Sequence, residues 1–76
     1  MIKDEFDFVG TDTEALDFIR PWLDKGVKLE KFISDGPGGG NPNAHLAFDS
    51  AETLKAFVTA YYDGDKEMIA DHLQAL

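Results

Sequence analysis

The chain has no cysteine among its 76 residues, so neither a disulfide framework nor a thiolate zinc site can staple the fold, and the redox compartment stays open. It also has no apolar run long enough to cross a bilayer. Charge begins at Lys3, leaving no room for the apolar core of a signal peptide behind Met1. Both absences lead to the expectation of a cytoplasmic protein. Basic residues are scarce as well: seven Lys and Arg stand against fifteen Asp and Glu, a formal net charge of −8. Such a chain repels phosphate backbones and anionic lipid, which excludes direct nucleic-acid and membrane partners. It is steered instead toward basic surfaces, commonly those of proteins that themselves bind nucleic acid. The plainer reading is that the charge serves solubility.

A chain this short forms one domain, residues 1–76, with a modest core built from hydrophobic patterning alone. Ile2, Phe6 and Phe8 alternate with Lys3, Glu5 and Asp7, the period of a half-buried strand. Thr11 and Glu14 form a capping box that opens a helix, whose apolar stripe comprises Ala15, Leu16, Phe18, Ile19, Trp22 and Leu23. Pro21 predicts a kink or break between Arg20 and Trp22, and Gly26 a left-handed cap.

Val27 to Ile33 reads as a second strand with a disturbed phase, since Phe32 and Ile33 are both apolar. Either a bulge follows Glu30, or Phe32 faces solvent as the start of a partner-binding patch. Ala44, Leu46 and Phe48 mark a third strand. Asp49 or Ser50, with Glu52 as the reciprocal residue, caps a helix bearing Leu54, Phe57, Val58 and Tyr61. Asp63 and Gly64 end it. Asp65 then caps a last helix with Met68, Ile69, His72, Leu73 and Leu76 on its apolar stripe.

The order β-α-β-β-α-α gives an α+β fold: a three-stranded sheet with the third strand slotted antiparallel between the first two, and helices on one face. It resembles a ferredoxin-like unit whose last strand is replaced by a helix. The other sheet face, with Glu5, Asp7, Lys28, Glu30 and His45, is left to solvent, to a partner, or to a second copy in a homodimer.

The segment GPGGGNPN, Gly36 to Asn43, joins the second and third strands and is longer than a hairpin turn requires. Consecutive glycine amides can cradle an anion. However, the Lys-Ser/Thr of a P-loop is missing and Asp35 flanks the segment, so a hairpin tip with fast amide exchange is the simpler expectation. Asp63, Asp65 and Glu67 lack the glycine that a calcium loop requires, Met68 standing in its place. His45 and His72 have no zinc-ligand spacing. No catalytic constellation is legible either, so the expectations are no enzyme, no cofactor and no metal.

With its short acidic chain, and with GPGGGNP followed by a strand and the helix AETLKAFVTAYY, the protein resembles small phage-encoded inhibitors of host defence. These are of the anti-CRISPR and DNA-mimic kind, and the similarity covers about half of the chain. The resemblance implies a viral protein acting in the host cytoplasm, whose acidic side chains stand where phosphates would lie on a basic groove. The candidate contacts are Glu5, Asp7 and Glu30 on the open sheet face, Asp63, Asp65 and Glu67 at the helix junction, and Phe32 and Tyr62 as aromatic anchors. The alternative is an adaptor or immunity-type module that binds a protein, or a small nucleotide, through Gly38, Gly39, Gly40 and Asn41.

Overall fold

The structure is a computed structural model and describes residues 1–34 and 41–75. The expectations placed on Asp35, on Gly36 to Gly40 and on Leu76 lie outside the described residues. Strand β1 (Ile2–Asp7) leads to helix α1 (Asp12–Ile19) and a 3-10 turn at Arg20–Trp22, then to β2 (Val27–Ile33) and β3 (Asn43–Phe48). Helices α2 (Ala51–Tyr61) and α3 (Lys66–Gln74) follow. The sheet order is β1-β3-β2, with β3 antiparallel to both neighbours. The expected α+β architecture is therefore the one observed.

Local chemistry sets each boundary. The Thr11 hydroxyl accepts the Glu14 amide at 3.2 Å while the Glu14 carboxylate accepts the Thr11 amide at 3.1 Å, so the capping box is complete. At the other end of α1, Pro21 cannot donate to the helical ladder, and the chain tightens into a 3-10 turn. Ser50 alone caps α2 by accepting the Thr53 amide, so Glu52 is not the reciprocal partner that the sequence suggested. The residue three places beyond Ser50 is Thr53, whose hydroxyl lies 3.0 Å from that of Ser50.

The core lies between the sheet and the helices. Phe6, Leu46 and Phe48 from the sheet meet Ile19 of α1 and Phe57 and Val58 of α2, all essentially inaccessible to water. The Phe57 ring sits 4.9 Å from Phe6 and 5.5 Å from Phe48 in edge-to-face geometry. Each such buried ring contributes about 1.5–3 kcal/mol. Trp22 packs partly buried on Phe57, as its place on the apolar stripe predicted. Leu23 does not follow: it falls in the turn after the 3-10 segment and is 44% exposed.

The phase problem in β2 resolves as a bulge. Leu29 pairs with Leu46 and Lys31 with His45, so Glu30 is the extra residue. The shift turns Phe32 inward against the core and leaves Ile33 outside. Phe32 is therefore no exposed anchor, because every residue of the strand beyond an extra residue changes face. The connection to β3 also ends before Asn43, at Pro42. Pro42 is buried with its carbonyl accepting the Phe8 amide at 2.9 Å, and Asn43 already belongs to β3.

Candidate functional site

Three rows of side chains cross the open face of the sheet: Lys3, Ala47 and Lys28; Glu5, His45 and Lys31; Asp7, Asn43 and Ile33. Glu30, displaced by the bulge, reaches Lys3 on the far strand at 3.5 Å, over the small and fully covered Ala47. Glu5 lies 3.4 Å from His45, and the Asp7 carboxylate accepts from the side-chain Nδ2 of Asn43 at 2.7 Å. The face thus holds three acids and three lysines, and each acid has a neighbour. It is solvent-facing, as expected, but it is not an acidic surface.

The negative charge collects on the other side of the molecule. Asp12, Glu14 and Asp17 belong to α1, Asp24 to the turn after it, Asp49 and Glu52 to the start of α2, and Asp63, Asp65, Glu67 and Asp71 to the α2–α3 junction and α3. Arg20, Lys25, Lys55 and Lys66 are the cations interspersed among them. Among the described residues, only Arg20 of these four makes an ion pair, with Asp17 at 3.2 Å.

The junction itself is built by two left-handed residues, Asp63 at φ 52° and Gly64 at φ 80°, which turn the chain so that Asp65 can begin α3. The Asp65 carboxylate accepts the Glu67 and Met68 amides at 3.1 Å each, so it serves the helix start. Asp63 and Glu67 are exposed, and their carboxylates have no partner among the described residues.

Beside this junction lies a cleft of about 370 Å³, walled by Asp7, Phe8, Val9, Phe18, Tyr61, Tyr62 and Met68. Of the sequence-predicted contacts it brings together Asp7 and Tyr62, next to the segment that carries Asp63, Asp65 and Glu67. Glu5 and Glu30 stay on the sheet face, and Phe32 stays in the core. Two of the wall residues are unusually open: Val9 is 90% exposed, and Met68, expected on the buried stripe of α3, is 50% exposed. Both tyrosine hydroxyls are used internally. Tyr61 donates to the carbonyl of Asp7, and the Tyr62 hydroxyl lies 2.7 Å from Nδ1 of His72.

His72 links that cleft to the strand. Its Nε2 is 2.5 Å from Oδ2 of Asp4, and its ring lies parallel to Phe6 with centroids 5.1 Å apart. Sequence reasoning missed Asp4, although a signal was present. Asp4 falls in phase with Ile2, Phe6 and Phe8, and a carboxylate on the apolar face of a strand needs a donor from whatever covers it. The Asp4, His72, Tyr62 array fastens α3 onto β1. Within it, burial and the Asp4 charge push the Tyr62 phenol above its usual range.

No group of three or more His, Cys, Asp or Glu that could hold a metal occurs among the described residues. Among the described residues, no helix is long and apolar enough to cross a membrane. No family model, curated protein or solved structure matches this chain.

Proposed function

We propose that the protein is a small acidic binding module that blocks a basic, nucleic-acid-binding surface of another protein, with the helical layer as the contact surface. One observation carries this reading: the charge is segregated, with the open sheet face balanced and the excess of acids on α1, α2, α3 and their turns. A polyacid that served solubility alone has no reason to be one-sided, whereas a surface that competes with a phosphate backbone needs its charge on one side. In the resemblance to phage-encoded inhibitors, this surface occupies a host protein by charge mimicry.

The test pairs two charge-reversed variants in a capture experiment from bacterial lysate at low salt, with duplex DNA as competitor. Asp63→Lys/Glu67→Lys on the helical side should abolish capture of DNA-binding proteins. Glu5→Lys/Glu30→Lys on the sheet face should leave it within about twofold. The complex should also weaken steeply between low and physiological salt. Capture that ignores both the DNA competitor and salt, or that is lost only with the sheet-face variant, refutes the reading.

A further inference from the structure

We propose that the cleft beside the α2–α3 junction seats an arginine side chain of the partner; this inference rests on the reading above and names the group that the acidic layer selects. The walls provide four aromatic rings, Phe8, Phe18, Tyr61 and Tyr62, together with the open apolar side chains of Val9 and Met68. A volume of about 370 Å³ suits one long side chain rather than a helix or an extended peptide. No cation of the chain itself lines it.

The polar groups decide what that side chain carries. Both tyrosine hydroxyls are committed, to the Asp7 carbonyl and to His72, so the cleft has little to offer a neutral amide or hydroxyl. The carboxylates near it are Asp7, which lines the wall and already accepts from the Asn43 side chain, and Asp63 and Glu67, which have no partner among the described residues and lie on the segment that connects Tyr62 to Met68. Apolar walls for three methylenes, aromatic rings for a planar cation and free carboxylates on the adjoining chain segment together describe an arginine site. A lysine fits it less well, because its ammonium is compact, strongly hydrated and unable to stack.

The test is a titration with blocked Gly-Arg-Arg-Gly peptide, followed through the methyl resonances of Met68 and Val9. Lysine, citrulline and norleucine versions serve as comparisons. The arginine peptide should shift both methyl groups, and the citrulline and norleucine peptides should bind at least tenfold more weakly. Val9→Lys, at a site exposed enough to leave thermal unfolding unchanged, should abolish the shift at Met68 by placing a cation at the cleft. Equal binding of the norleucine peptide overturns the proposal, as does an arginine response that spares Met68 and Val9. If salt-sensitive capture of DNA-binding proteins survives Val9→Lys unchanged, the arginine site is refuted while the acidic-layer reading stands. Seating of the arginine peptide without any such capture refutes the broader reading and supports the site.

Discussion

His72 is the residue on which most of α3 depends. No side chain of α3 is fully buried, and Ile69 and Leu73 only lean on the core. The imidazole bonds Asp4 through one nitrogen and Tyr62 through the other while stacking on Phe6. A neutral ring can donate to Asp4 and accept from Tyr62, and an imidazolium can donate to both, so the array is satisfied in either state. Removing the ring strips the donor from Oδ2 of the mostly buried Asp4 carboxylate and leaves only the Glu5 amide, at 2.8 Å from Oδ1. His72→Ala should therefore cost about 2–4 kcal/mol in denaturant unfolding, well above an ordinary surface substitution. Asp4→Ala/His72→Ala should cost less than the two single changes added together. Additive costs would mean that the two side chains do not act as a pair. This array was hard to read in the sequence for a physical reason: Asp4 and His72 lie at opposite ends of the chain, and only the docking of α3 over β1 brings them together.

At the scale of elements, the boundaries were the most legible part of the sequence. Their causes are local, as with the Thr11–Glu14 box, Pro21 after α1, Asp65 before α3 and Gly26 before β2. Gly26 shows how tightly such a position can be specified. Its φ is +87°, its carbonyl accepts the Asp49 amide at 2.9 Å, and an added Cβ would lie 2.2 Å from the Asp49 carboxylate. Gly26→Ala should destabilise by about 2 kcal/mol or more, read as a lowered denaturant midpoint at constant slope. Adding Asp49→Ala should recover only part of this, because the left-handed backbone remains. Full recovery would assign the whole cost to the carboxylate clash. The bulge at Glu30 was legible only as a conflict between Phe32 and Ile33. Two adjacent apolar residues cannot both face inward on a regular strand, and the sequence could not say which would, since that depends on the pairing register with β3.

At the scale of the whole molecule, register also settles the electrostatics. Glu5, Asp7 and Glu30 read as an acidic patch when taken alone, but pairing sets Lys3, Lys28 and Lys31 among them. The helical acids, of which the sequence reading singled out only Asp63, Asp65 and Glu67 as contacts, carry the net charge instead. The same packing affects the response to alkali. Burial, with the neighbouring Tyr62 and Asp7, raises the Tyr61 phenol, while burial and Asp4 raise that of Tyr62. The folded state then holds these protons more tightly than the unfolded chain does. The associated stability is complete below the ordinary phenol pKa of about 10 and is lost as the pH climbs through the raised folded values. Unfolding free energy measured from about pH 9 to 12 should fall more steeply for the native chain than for Tyr61→Phe/Tyr62→Phe. Parallel curves would show that the phenols do not contribute.

The pairing of Lys3 with Glu30 across Ala47 has one more consequence. With the other acids and lysines of that face in balance, it leaves the net negative charge on the helical side of the molecule. In the field of a cationic surface such a body experiences a torque as well as an attraction, and it turns its helices inward before contact. The sheet side then faces outward in any complex formed this way, which makes it the natural place to attach a label or a tether without disturbing binding.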